Sequence, residues 1–579
     1  MSVRATTVRE PVARRAWDVR LLPASWPAVL LGLLLAYLTL LPIGVLVWGS
    51  LRDAAPGLAG NITLANYVKV LTTENLFGAT LNSLVFGLGS ALLATAIGVF
   101  LAWVVVRTNA PGRWLLWSLA VFPLLEPGVL KAIAWVLLLN PQAGVINGLV
   151  KNWLGIQSLF NIYSLPGMIW IQATAVLTLP FLVTGAAFRA MDPSLEQAAA
   201  VSGCGTLNTL RRITLPLILP SCLATLLLLF VYGIETFDVP AVAGIPGKIP
   251  VFAAQIWLES SINGNFNVAA AYSMPYLLVA VLGLWLYYRA AGMAGKYSTV
   301  TGKNFRPTRM DLGAGRWPMF ALSLLLVGAA VVPPVLVLLY TSFLPFFILP
   351  SAKALAAFRL DNYAWILGSD LPGVLVNNVV VGVAAALCAV LLATLVSWVT
   401  IRTAIRGRRL LDVMAFAPVA FPGAVMGLAL VWTYLTIPNP IYGTLVILVV
   451  GFVAKFLPIA MRSTHASLLQ LHRDLDEAAA VSGASFSHVI RRIILPLIMP
   501  ANVVAFIYIL SLTFKDLSLP MFLVGFDNQL LATQIYSLYQ NGQYGRVSAI
   551  GVLLLLLLLG ISGLSALIGA RFGVREVQS

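Results

Sequence analysis

The chain has 579 residues, 60% of them hydrophobic and only 10% charged, with a mean hydropathy of +0.94. Soluble domains carry about 25% charged residues, so a water-soluble globular enzyme is excluded and the lipid bilayer is the expected solvent, crossed by helices. The net charge of +16 follows the alternation of apolar runs and forms no single patch, which argues against a nucleic-acid partner. Three cysteines (Cys204, Cys222, Cys388) and three histidines (His465, His472, His488) form no spaced pair or cluster, so neither a disulfide framework nor a metal site is expected.

The N-terminal stretch MSVRATTVREPVARRAWDVRLLP is basic and leads into an apolar run with no small-residue cleavage site behind it. It reads as a tail before a retained helix, not as a removed signal peptide. Runs long enough to span a bilayer follow at 27–48, 80–106, 114–139, 165–188, 214–234 and 267–288, and after a polar bridge at 317–341, 373–400, 411–433, 442–461, 494–514 and 548–570. The expected fold is an all-α polytopic membrane protein with twelve transmembrane helices in two parallel six-helix repeats. Its expected parts are a tail at 1–26, repeat 1 at 27–288, a linker at 289–316, repeat 2 at 317–570 and a tail at 571–579. With the N-terminus inside, cytoplasmic segments hold 26 of the 36 Lys and Arg residues, external ones seven, and the spans or their edges three (Lys131, Lys455, Lys515). The positive-inside rule therefore sets both termini in the cytoplasm.

The halves echo each other. NSLVFGLGSALLATAIGVFLAWVVVRTNAPGR from Asn82 aligns with NNVVVGVAAALCAVLLATLVSWVTIRTAIRGR from Asn377, so that Trp103 meets Trp398, Arg107 meets Arg402 and Gly112 meets Gly407. Pro127-Gly128 recurs as Pro422-Gly423, and Gln255-Ile256 as Gln534-Ile535. Equal orientation of both halves means a parallel duplication about an axis along the membrane normal.

The strongest repeat is polar. EQAAAVSGCGTLNTLRRITLPLILP at 196–220 and DEAAAVSGASFSHVIRRIILPLIMP at 476–500 agree at 14 of 25 positions. Both lie between the fourth and fifth span of their half. A mere connector needs no run of alanines, which favour helix. The pattern predicts a short helix, a turn at Gly203 or Gly483, and a second helix whose start accommodates Pro216 or Pro496. Two such elbows ask for a partner that is itself two-fold.

The motif resembles the EAA motif of the permeases of ABC importers: Glu-Ala-Ala, three residues, Gly, nine residues, Ile-x-Leu-Pro. The second copy fits throughout at Glu477, Ala478, Ala479, Gly483, Ile493, Leu495 and Pro496. The first fits at Ala198, Ala199, Gly203, Ile213, Leu215 and Pro216, with Gln197 in place of the Glu and Glu196 one residue early. The resemblance implies that each loop docks as a coupling helix on one of two copies of a cytoplasmic ABC ATPase. It also implies that ATP and Mg2+ are used there, with no cofactor bound by this chain, and that an external solute-binding protein delivers substrate. The chain has no GxxxxGK[ST] sequence of its own, so it is expected not to be an enzyme. A fused two-half permease looks most like the ferric iron permeases of the bacterial inner membrane. Alternatives are 2-aminoethylphosphonate, thiamine or putrescine as solute. A secondary transporter with two parallel six-helix halves has the same span count but does not need the paired elbows.

Charges at membrane depth mark pathways or protein interiors. Glu126 and Lys131 in the third span, and Glu235, Asp238, Lys515 and Asp516 just after the fifth spans, are the candidates for the pathway or its outer mouth. The bland readings are a local pair for the first two and solvated helix ends for the rest. Lys455 reads either as paired within the bundle or as snorkelling to an interface. Arg211-Arg212 and Arg491-Arg492 serve an ATPase partner and positive-inside anchoring equally well.

Overall fold

The computed structural model describes residues 26–72, 75–192, 194–294, 309–403, 405, 407–437, 440–472, 474–525 and 527–571. Residues 1–25 of the N-terminal tail, half of the bridge at 289–316 (295–308) and the C-terminal tail after Arg571 lie outside these residues. Among the described residues the chain is helical, with no strand beyond two isolated bridges. In chain order the long elements of the first half are α1 (Ala28–Ser50), α2 (Leu76–Arg107), α3 (Arg113–Leu124), α4 (Gly128–Leu139), α5 (Leu165–Val176), α6 (Thr178–Ala190), the short α7 (Ser194–Val201), α8 (Leu210–Glu235) and α9 (Phe266–Ala294). The second half repeats them as α10 (Arg316–Ser342), α11 (Leu371–Arg402), α12 (Arg408–Ala420), α13 (Gly423–Thr436), α14 (Leu445–Gln470), the short α15 (Asp474–Val481), α16 (Ile490–Thr513) and α17 (Tyr544–Arg571).

Nine helices among the described residues are long and apolar enough to cross a membrane alone, and three bent pairs raise the number to as many as twelve. The runs 114–139 and 411–433, read from sequence as single spans, turn by 108° between α3 and α4 and by 111° between α12 and α13. Both turns fall at a Pro-Gly pair, where the proline holds its preceding residue out of the helical region and offers no N–H. The run 165–188 bends by 50° between α5 and α6, two residues before Pro180. Its counterpart α14 absorbs Pro458 without a break.

α2 and α11 form the centre of each half. α2 packs against α5, α6 and α8, and α11 against α14 and α16. Small residues set these approaches: a Cβ on Gly87 would lie 2.8 Å from Ile234, and one on Gly98 2.7 Å from Pro180. In lipid, close packing of this kind carries helix association, because burying apolar surface there yields no hydrophobic gain.

The first helix of each half crosses to the other half. α1 packs on α9 and on α12 and α13. Gly49 leaves room for the Trp432 ring, which would sit 2.7 Å from an added Cβ, and the Tyr37 and Tyr434 hydroxyls hydrogen-bond at 2.8 Å. Reciprocally, α10 packs on α17 and on α3 and α4. Pro334 within α10 has no N–H to give to Ala330, four residues earlier. Lys131 from α4 fills that gap, donating to the Ala330 carbonyl at 2.8 Å while pairing with Glu126. All of Lys131 and nearly all of the Glu126 side chain are buried.

Breaking one side of a buried ion pair costs about 3–5 kcal/mol, whereas exchanging both partners for apolar groups is often neutral. Lys131→Met is therefore expected to destabilise the purified chain by about 3–5 kcal/mol in a denaturation titration in detergent. Lys131→Met combined with Glu126→Leu is expected to recover most of that loss. Equal stability of single and double variants would show that the pair is not the constraint.

Candidate functional site: paired loops and a charged seam

The two elbows have nearly the same geometry. Each short helix ends on a glycine in the left-handed region, Gly203 at φ +75° and Gly483 at φ +77°. The reversal is closed by Cys204 N–H to the Ala199 carbonyl at 2.9 Å and by Ala484 N–H to the Ala479 carbonyl at 3.0 Å. The Ser202 and Ser482 hydroxyls each return to the carbonyl four residues back, at 2.8 Å. Ala199 and Ala479 are buried against the body, while Ala198 and Ala478 face out. Nothing lies within 4 Å of a Cβ placed on Gly203 or Gly483, so the glycines serve the turn and not an internal contact.

A single exposed apolar side chain needs no explanation, but here the exposure is repeated. Val201 is 90% exposed and Val481 89%, and Leu195 and Leu475 keep 42% and 44%. Arg211, Arg212, Arg491 and Arg492 are all exposed. After each elbow the chain enters one π turn, with Leu215 N–H bonded to the Leu210 carbonyl and Leu495 N–H to the Ile490 carbonyl. The wider turn makes room for Pro216 and Pro496, one residue on. Ile213 and Ile493 are half-buried, and Leu215, Pro216, Leu495 and Pro496 are exposed.

The elbows part at their acidic residue. Gln197 is exposed, but Glu196 is turned inward. Its Oε2 pairs with the buried Arg107 guanidinium at the end of α2, and its Oε1 accepts from Thr214 Oγ1 at 2.7 Å. The side chain of Glu477 lies outside the described residues.

The charges set by sequence at the pathway or its outer mouth gather beside the two Pro-Gly breaks, between the halves. Lys455 of α14 donates to Asp516 Oδ2 at 2.8 Å and lies 3.6 Å from Glu235 Oε1 across the interface. Of the two sequence readings for Lys455, pairing in the bundle is the one observed. Asp238 sits at the N-terminus of α4, so close that a Cβ on Gly128 would fall 2.2 Å from its Oδ2. The positive end of a helix dipole suits a carboxylate there. At the matching position of the second half, Gly423 opens α13 beside Lys455 and Ser518. Lys515 crosses to the first half and donates to the Leu124 carbonyl at 2.6 Å, beside the α3–α4 break. Tyr232 lies within electrostatic reach of Glu235, Asp238, Asp516 and Tyr508. Glu126 and Lys131 form a separate buried pair facing α10. Among the described residues no three His, Cys, Asp or Glu side chains are grouped to hold a metal.

Sequence reasoning missed Arg107 and Thr214 as partners of the loop, and Val201 and Val481 as its exposed tips. Arg107 and Arg402 do coincide when the halves are aligned, and that coincidence was the available signal.

Residues 94–291 and 389–574 each match the family described as "Binding-protein-dependent transport system inner membrane component". The chain belongs to this permease family. Each matched stretch contains one elbow. Among curated relatives, the ferric transport system permease protein FbpB of Actinobacillus pleuropneumoniae is 26% identical over 503 residues, 84% of this chain and 67% of that protein. The putative ferric transport system permease protein FbpB 1 of Haemophilus influenzae is 25% identical over 504 residues, 84% of this chain and 74% of that one. A probable molybdenum ABC transporter permease of Haloferax volcanii is 32% identical over 291 residues, 49% of this chain but 97% of its own length. A half-length permease thus aligns with about half of this one. The family and the apolar helices make the chain a multi-pass inner-membrane permease.

The seam between the halves has a thermodynamic signature. A double-mutant cycle on Glu235→Gln and Lys455→Gln is expected to give an interaction energy of about 0.5–3 kcal/mol in detergent denaturation. A cycle on Glu126→Gln and Lys455→Gln is expected to give none.

Proposed function

We propose that this chain is the membrane-spanning subunit of an ATP-driven, binding-protein-dependent importer whose cargo is ferric iron. The observation that carries the class is the pair of matching elbows with exposed apolar tips, each inside a family match. The cargo rests on the full-length relatives named for ferric transport, which align across both halves. 2-Aminoethylphosphonate, thiamine and putrescine have no comparable support among those relatives, and a secondary transporter leaves the elbows without a purpose.

In this reading the chain crosses the membrane twelve times as two parallel six-helix repeats, 27–288 and 317–570, joined by the bridge at 289–316, with both termini cytoplasmic. The elbows then face the cytoplasm, and each seats on one copy of an ABC ATPase. ATP and Mg2+ are bound and spent there. Gly203 and Gly483 let the backbone reverse sharply, so that Val201 and Val481 stand proud enough to enter a groove. Closure of the ATPase pair draws the elbows together and tilts the halves about their shared seam. A solute-binding protein outside releases cargo to the opened face. Glu235, Asp238, Lys515, Asp516 and the two tyrosines lie where the halves meet, on the route that opens.

The test is reconstitution of the chain in lipid vesicles with its ATPase and solute-binding protein, reading ATP hydrolysis and uptake of labelled ferric iron. Wild type is expected to show uptake that requires both partners. Gly483→Asp adds strain at positive φ of about 1–2 kcal/mol and a charge at the docking tip, and is expected to abolish uptake while the chain stays folded. Hydrolysis coupled to the uptake of another solute would remove ferric iron and keep the permease. A folded chain that neither binds nor stimulates any ATPase would overturn the class mechanism.

A further inference from the structure

Glu196 stands within one residue of the position where the family motif carries its acidic group, yet only 9% of it is exposed. Three elements meet on its carboxylate or its partner. Arg107, fully buried, is the last residue of α2 and pairs with Oε2. Thr214, also fully buried, belongs to the π turn that opens α8 and donates to Oε1 at 2.7 Å. The same Arg107 guanidinium reaches the carbonyl of Phe188, near the end of α6, at 3.5 Å. So one buried network joins the elbow to the helices on both sides of it and to the central helix of the half.

Among the described residues, the second half shows part of this. Arg402 ends α11 as Arg107 ends α2, and it donates to the Leu468 carbonyl at 3.3 Å and to Leu471 at 2.8 Å. Leu468 is the counterpart of Phe188. The counterpart of Thr214, however, is Ile494, which is buried and has no hydroxyl to give.

We infer that Glu196 is a positioning residue that carries force, not a contact for the ATPase. Through Arg107 it transmits displacement of the first elbow into α2, and Thr214 stiffens that link in the first half alone. This rests on the proposed coupling role of the elbows. A charge that touched a partner would need to reach the surface, and this one is spent inside. Removing it leaves the Arg107 guanidinium buried without its countercharge, which favours local rearrangement where the elbow meets α2. Docking depends on the elbow's outer face, which the change does not touch.

The experiment uses the reconstituted complex and three readouts: co-purification of the ATPase, ATP hydrolysis, and solute taken up per ATP. For Glu196→Gln the expected result is unchanged co-purification and a fall of at least about fivefold in solute per ATP, the low end of coupling between sites. Thr214→Val keeps the ion pair and is expected to lower the ratio by about twofold, well inside the range that losing one hydrogen bond to a carboxylate allows. It also covers the case in which Glu196→Gln does not fold. Loss of ATPase co-purification in a folded Glu196→Gln chain would make Glu196 a docking contact and overturn the inference. So would full coupling in both Glu196→Gln and Thr214→Val. A wild-type complex that fails to assemble at all would instead overturn the coupling role itself, and the two failures are thereby distinguishable.

Discussion

The rest of the structure depends on how a helical chain in lipid treats the backbone groups its prolines leave unpaired. In a bilayer such groups find no water, and an unpaired one is expensive. Pro334 frees the Ala330 carbonyl in the second half, and Lys131 from the first half takes it. The α3–α4 break leaves the Leu124 carbonyl of the first half without a helical partner, and Lys515 from the second half takes it. The donors are cations from the opposite half. The halves are held together at the points where each is locally broken, so breaking the spans and joining the halves are one device. The swap of α1 and α10 between halves serves the same end by packing.

This arrangement reconciles two features that otherwise conflict. The elbows are near copies, with matching turns, matching exposed valines and matching π turns. The interior charges are not symmetric: Glu235 and Asp238 have Lys515 and Ser518 as their counterparts in the second half, and Glu126 and Lys131 have Phe421 and Met426. Docking on a two-fold partner requires the outer faces to match. It places no such demand on the interior, where each half can specialise. Complementary charges cross the seam, where Lys455 meets Asp516 and Glu235.

Much of this was legible in the sequence because apolar length and glycine-proline spacing are local signals. The runs, the left-handed glycines and the proline-containing helix starts all follow from residues within a few positions of each other, and the duplication from comparing the two halves. What escaped was non-local. The turn at Pro127-Gly128 was visible as a proline-glycine pair, but its 108° angle was not. The charges after the fifth spans left solvated helix ends open as a bland reading because Lys455 lies 61 residues from its partner Asp516 in the chain. Glu196 read as a displaced surface carboxylate because nothing near it in sequence announces Arg107, 89 residues away.

The inward turn of Glu196 also bears on what holds the first elbow to a partner. With Glu196 occupied and Gln197 at the exposed position, the outer face of α7 presents no carboxylate; it offers Leu195, Ala198 and Val201 beside the turn at Gly203. Recognition by such a face comes from shape and from apolar burial, at roughly 25 cal/mol per Å², and is little affected by salt, since screening acts on charges. A carboxylate moved from the surface to the interior thus takes on a different role. In the proposed function it does not select a partner; it ties the docking surface to α2 through Arg107.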